Sequence, residues 1–142
     1  MEGATPIAVI DAIKKVLPGK PIRRVINTHH HFDHSNGLRT YAAEGATIVT
    51  YPRNAAFYQQ WWAKQTTLVK DKLAESGKTA RFETVSDRKI LSDGSRTLEL
   101  HVVKNSNHVA GMLIVYVPQE KLLIESDLFT PAAPGAAQNP QT

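Results

Sequence analysis

The segment Thr28–Gly37, THHHFDHSNG, puts four of the chain's six histidines between positions 29 and 34, with Asp33 among them. A lone histidine is an ordinary core or surface residue. Several in succession compete for protons and hydrogen bonds, so a cluster this dense constrains the backbone: its rings need something to converge on. The cluster follows directly on IRRVINT (Ile22–Thr28), a short, partly β-branched segment that reads as a strand. The chain is therefore expected to build a sheet in which one strand end opens into a loop of ligands. Spacing of the His29-x-His31 kind lets two imidazoles approach one ion, and the Asp33-His34 pair can address a second. A purification tag would be consecutive and terminal; this cluster is internal and interrupted.

Cysteine is absent, which excludes disulfides and thiolate metal sites and leaves imidazole, carboxylate and water as ligands. With 142 residues, 42% hydrophobic and 21% charged, the chain suits one globular domain and is not a disordered polymer. The formal charge of +4 is dispersed over residues such as Lys14, Lys15, Arg23, Arg24, Lys70 and Lys72, with acids between many of them. Dispersed charge reads as solvated surface, so a nucleic-acid partner is not expected. No apolar run approaches a membrane span, and the N-terminus lacks a basic segment followed by a long apolar one. Compartment and oligomeric state stay open.

Ile7–Leu17 has helical apolar spacing and stops at Pro18-Gly19. After the histidine cluster, Ser35 or Asn36 can cap a short helix, Leu38–Glu44, closed by Gly45. Ala46–Thr50 reads as a buried strand and Pro52–Ser76 as one long helix, bent at Thr66-Thr67 and ended by Gly77. From Arg81 the period becomes strand-like: Phe82–Val85, Lys89–Leu91 and Thr97–Val103, with a hairpin signal at Asp93-Gly94. Met112–Val117 and Lys121–Ser126 are apolar and joined by Pro118-Gln-Glu, a hairpin expected in the core. This order predicts an α/β layered domain, helices packed on a sheet.

Two more histidines and one aspartate bear on the site. In TLELHVV, alternation puts His101 on the face opposite Leu98, Leu100 and Val102, as a half-exposed strand residue. His108 lies in Ser-Asn-His-Val-Ala-Gly, between strands, where sheet proteins place functional groups. Asp127 follows an apolar strand, with Glu125 as the weaker competitor. His30 occupies a spacer position and is expected to point away from any metal, toward a carbonyl. Of Phe57, Tyr58, Trp61 and Trp62 on the long helix, core packing is the expected role.

HHHFDH resembles the HxHxDH signature of the metallo-β-lactamase superfamily, and SNHVAGMLIVYVP and LLIESDLFTP extend the resemblance over Arg23–Pro131. It implies part of the family's αββα sandwich. It also implies a first metal on His29, His31 and His108 and a second on Asp33, His34 and Asp127, with Asp127 bridging and Asp33 orienting the nucleophile or shuttling a proton. The metal is expected to be zinc, one or two ions; iron and manganese suit the same donors. The implied activity is hydrolysis of an ester, thioester, lactam or related bond in a small-molecule substrate. A non-catalytic metal-binding module and a nucleic-acid-processing member of the same fold are the alternatives. The lactamase branches often use a cysteine at the second site, and this chain has none. Family members carry several strands before the motif and one further histidine after the bridging aspartate; here no histidine follows His108. Residues 1–130 are thus expected to be a partial domain, an excerpt with its first site complete, and residues 131–142 a flexible tail.

Overall fold

The computed structural model describes residues 4–64, 70–129 and 134. The elements run α1 (Ala4–Val16), β1 (Arg24–Ile26), α2 (Phe32–Ser35), α3 (Leu38–Ala43), β2 (Thr47–Thr50), α4 (Pro52–Ala63), α5 (Lys72–Ser76) and β3 (Arg81–Thr84), followed by four strands. These are β4 (Arg88–Ser92), β5 (Thr97–Val102), β6 (Leu113–Val117) and β7 (Leu122–Ile124). The first three strands form a parallel sheet in the order β1-β2-β3, and the last four an antiparallel meander, β4-β5-β6-β7. Parallel neighbours need crossovers, and the short helices between β1, β2 and β3 supply them.

Period-two alternation on β2 divides the interior into two layers. Ile48 joins Leu38, Ala42, Tyr58 and Leu73, with Val25 and Phe82 against them, between the parallel sheet and its helices. Its neighbour Val49 points the other way and joins Val85, Leu100, Leu113 and Val115, with Ile26, Leu98 and Val102, between the two sheets. The result is a helix–sheet–sheet stack in which successive residues of one strand serve opposite cores. Each such buried aliphatic contributes roughly 1.5–3 kcal/mol. The Leu113 amide donates to the Thr28 carbonyl at 2.8 Å, which ties the start of β6 to the loop leaving β1.

Several elements depart from the sequence reading. Pro52–Ser76 is two helices: Lys64 leaves the helical region (φ −81°, ψ 91°), and Asp71 starts α5 afresh by accepting the Ala74 amide at 2.8 Å. The expected bend at Thr66-Thr67 lies outside the described residues, as does nearly all of the 131–142 tail. Neither Ser35 nor Asn36 caps α3. Gly37 holds the N-cap position, while Ser35 donates to the His30 carbonyl at 3.3 Å within an additional four-residue helix. Helix α1 buries a narrower stripe than its apolar spacing suggests, with Pro6 and Ile10 inside and Val16 and Leu17 exposed. Finally, β6 is a core strand, but β7 is exposed along its length.

Candidate metal centre

The histidine loop begins where β1 stops, and a buried polar network holds its backbone. Asn27 is inside the protein, and its amide nitrogen donates to the carbonyls of His29 (2.7 Å) and His34 (3.2 Å). Its oxygen accepts from Thr50 Oγ1 at 3.0 Å and from the Tyr58 hydroxyl at 2.8 Å. Asn54 continues the network, donating to Thr50 Oγ1 and to the Gly111 carbonyl, both at 3.3 Å. One side chain therefore fixes two loop carbonyls five residues apart, and its partners reach β2, α4 and the segment before β6. Burial of four polar side chains is tolerated because each finds partners. Burial pushes the Tyr58 hydroxyl up to about 12, so it remains a proton donor at neutral pH. Gly111 sits at φ 81°, where a Cβ would lie 2.0 Å from the Tyr51 ring; no other residue fits that approach.

On this frame the donors converge from three segments. His29 Nε2, His108 Nε2 and Asp127 Oδ2 form a triangle: 3.3 Å between the histidines, 3.3 Å from His108 to Asp127 and 3.4 Å from His29 to Asp127. His31 joins them, its ring centroid 4.6 Å from that of His29 and 4.7 Å from that of His108. A tetrahedral ion with arms of 2.0–2.1 Å has donor–donor edges of about 3.3–3.4 Å, so the triangle has the dimensions of a zinc face. His34 Nε2 reaches the same carboxylate oxygen, lying 2.8 Å from Asp127 Oδ2, and is 3.2 Å from Asp33 Oδ2. The contact to Asp127 is short but not aligned as a hydrogen bond, and His34 Nε2 is buried without a hydrogen-bond partner. The donors thus form two groups that could each hold an ion: His29, His31, His108 and Asp127, and Asp33, His34 and Asp127. Dimensions, an unpartnered buried nitrogen and an all-imidazole-and-carboxylate donor set fit a divalent metal.

His29 is the buried anchor, with a side chain wholly out of solvent. Burial, followed by the neighbouring His34, His31 and His108, lowers its pKa from 6.5 to about 4 against the opposing pull of Asp127. It is neutral at pH 7, and with a proton on Nδ1, shared with Thr28 Oγ1 at 3.2 Å, its Nε2 lone pair faces the other donors. Asp127 sits in left-handed backbone at φ 64°. Glu125 holds that turn, its Oε2 accepting the Leu128 amide at 2.8 Å, so the competitor for Asp127 caps the turn instead. His30 points out of the cluster as expected, against Phe57 (5.4 Å between centroids), but its Nδ1 meets no carbonyl. His101 is a strand residue beside Glu99 at 3.2 Å. Trp62 and Tyr58 pack in the helix-side core, whereas Trp61 is 62% exposed and does not. A cleft of about 300 Å³, lined by Val103, Asn105 to His108, Asp127 and Leu128, opens beside the donors.

The sequence profile of the metallo-beta-lactamase superfamily matches residues 2–138. The chain belongs to the metallo-β-lactamase superfamily. Among solved structures it is similar to a metallo-beta-lactamase from Pontibacter korlensis: 24% identity, 82% of this chain and 46% of that one, TM-score 0.60. It is also similar to a flavo di-iron protein variant from Thermotoga maritima: 16% identity, 89% and 28%, TM-score 0.62. A third is the B3 metallo-beta-lactamase BLEG-1: 16% identity, 91% and 60%, TM-score 0.59. At these identities the likeness is one of fold, and the chain spans 28–60% of those three proteins' lengths. No curated protein sequence matches it.

The metallo-β-lactamase fold thus brings together all six residues singled out in the sequence, His29, His31, Asp33, His34, His108 and Asp127. Sequence reasoning missed the network of Asn27, Thr50, Asn54 and Tyr58. A signal for part of it exists: Asn27 is a polar residue at the end of an apolar strand, where it needs partners to be buried.

Proposed function

We propose that this chain is a metal-dependent hydrolase domain of the metallo-β-lactamase superfamily, acting on an ester, thioester, lactam or related bond in a small molecule. The observation that carries this reading is the triangle of His29 Nε2, His108 Nε2 and Asp127 Oδ2, with edges of 3.3, 3.3 and 3.4 Å. On this reading His29, His31 and His108 would hold the first ion, Asp33 and His34 would serve a second, and Asp127 would be available to both. Zinc suits the donors best, with iron or manganese as the competing occupants. When bound, a divalent ion supplies Lewis acidity and a water whose pKa falls from 15.7 toward about 7.

The chain's own groups set the rest. His29, His31 and His108 would give the first ion three protein ligands of its own, the number found in catalytic zinc sites, with Asp127 shared with the second ion. Asp33, whose side chain is 76% exposed, is the most open of the carboxylate donors, against 35% for Asp127. Its role would be to orient an attacking water or to take a proton from it. The cleft beside His108 and Asp127 is of the size that admits a small molecule.

The test is metal content per chain after tag-free purification, for the wild type and His108→Ala, with hydrolysis of chromogenic esters and thioesters measured alongside. The expected result is at least one ion per wild-type chain, lost in the variant, together with metal-dependent turnover. Metal binding without turnover would leave a binding module. A wild type that takes up no zinc, iron or manganese would overturn the reading.

A further inference from the structure

Helix α4 carries two buried polar side chains one turn apart, Asn54 and Tyr58, on the face it turns to the interior. Each reaches a different loop of the metal centre. Tyr58 shares its hydroxyl proton between Asn27 Oδ1 (2.8 Å) and the His29 carbonyl (3.2 Å), in the loop that leaves β1. Asn54 donates to the Gly111 carbonyl (3.3 Å), in the loop that carries His108. Tyr51, at the head of the same helix, fills the space that a Cβ on Gly111 would need. Thr50 closes the circuit: it accepts from Asn54 and donates to Asn27, so one hydroxyl joins the two grips. His29 and Gly111 lie in irregular backbone, outside any strand ladder or helix, so side-chain donors serve their buried carbonyls. Apolar residues at positions 54 and 58 would fill the same space; hydrogen-bonding ones also impose a distance.

We propose that α4 is a spacer between the two histidine loops, with Asn54 and Tyr58 as positioning residues that together set the separation of His29 and His108. The Nε2 atoms of those histidines stand 3.3 Å apart. On the reading of both as ligands of one ion, on which this rests, their donors have to be held to within about 0.5 Å of the working geometry. Two loops do not achieve that by themselves; one helical turn, rigid and about 5.4 Å in pitch, does. The grips act in series along that turn, so losing either one releases the separation. The turn that carries His108 is closed locally, because Ser106 Oγ accepts the His108 and Val109 amides at 3.2 and 3.4 Å. Gly111 is where that turn is anchored to the helix layer. A backbone bond between the two loops, from the Leu113 amide to the Thr28 carbonyl at 2.8 Å, senses the same spacing.

Tyr58→Phe removes one hydroxyl and Asn54→Ala one amide, and neither change touches a metal donor. Zinc affinity, read by competition with a chromogenic chelator, is expected to fall about tenfold in each folded variant. The double variant is expected to lose little more than the larger single loss, whereas independent effects would multiply to roughly a hundredfold. Cobalt(II) in place of zinc gives a signature that stability alone does not move: its visible absorption follows the arrangement of the donors and is expected to shift and weaken in both variants. In metal-free protein the Leu113 amide is expected to exchange with solvent faster in each. Ile10→Ala, a core truncation in α1 outside the network, is the control; it is expected to lower the melting temperature with zinc affinity and cobalt spectrum intact. Tyr58→Phe, which keeps the ring in place, carries the test alone if Asn54→Ala does not fold. Folded variants with unchanged zinc affinity and cobalt spectrum overturn the proposal and leave the metal reading standing, as do losses that multiply in the double variant. A wild type that takes up neither ion overturns both.

Discussion

The two donor groups share Asp127 and the Asn27 amide, which holds the carbonyls of both His29 and His34, but they differ in how their side chains are placed. The group on His29, His31 and His108 draws on two loops 79 positions apart and rests on a fully buried imidazole. Its backbone is clamped by Asn27 and tied to β6 through the Thr28–Leu113 bond. The group on Asp33 and His34 comes from one short helix, α2, and Asp33 stands largely in solvent. The first group is preorganised: the entropy of bringing its donors together is already offset by folding. The second has adjacent donors that stay near each other whether or not an ion is present, with fewer groups restraining their direction. Rigidity favours tight and selective binding; looseness leaves room for exchange and proton movement.

Substitutions should separate the two groups. His29→Ala removes the buried anchor and is expected to lower affinity for the first ion by more than about 100-fold, above the range seen when only outer-shell partners change. Isothermal titration with zinc would measure it. Asn27→Ala leaves every donor in place but frees the carbonyls of His29 and His34. The expected result is a loss of roughly 10–100-fold in affinity for the first ion and about 1–3 kcal/mol in stability, read by titration and denaturant melts. If affinity were unchanged while stability fell, the clamp would be a feature of the fold alone.

Acid should act next. In the metal-free chain His29 stays neutral down to about pH 4, whereas an unfolded chain accepts that proton near 6.5. Its depressed pKa means that the unfolded state binds more protons between these values, so stability is highest above pH 6.5, falls toward pH 4 and then levels off. Thermal melts of metal-free protein across that window would show the slope, and His29→Gln should flatten it. Asp33→Ala should have the smallest effect on binding, less than about tenfold on the first ion, yet reduce turnover about 10²–10⁴-fold if it handles the proton. Equal losses in both groups from either loop would erase the distinction between them.

The site is more legible in the sequence than the scaffold around it. Ligand chemistry is written in residue type and spacing, so HHHFDH, His108 and Asp127 stand out before any geometry. Alternation alone assigns His101 to a strand face. The break between α4 and α5 is harder: its markers are a single Asp71 cap and one extended residue, Lys64, inside an otherwise helical composition. Apolar residues make β7 read as core, whereas exposure at a sheet edge depends on which strand has a neighbour. The buried network is hidden for a related reason, since Asn27, Thr50, Asn54 and Tyr58 become a unit only after β1, β2 and α4 are packed.

His29 and His108 stand 79 positions apart in a chain without a single cysteine. An ion held between them as proposed is a cross-link. By the loop-closure reasoning applied to disulfides, joining positions that far apart removes entropy worth roughly 4–5 kcal/mol from the unfolded chain. The metal would then serve as the covalent staple that this sequence lacks, and a chelator would do to this domain what a reductant does to a disulfide-bonded one.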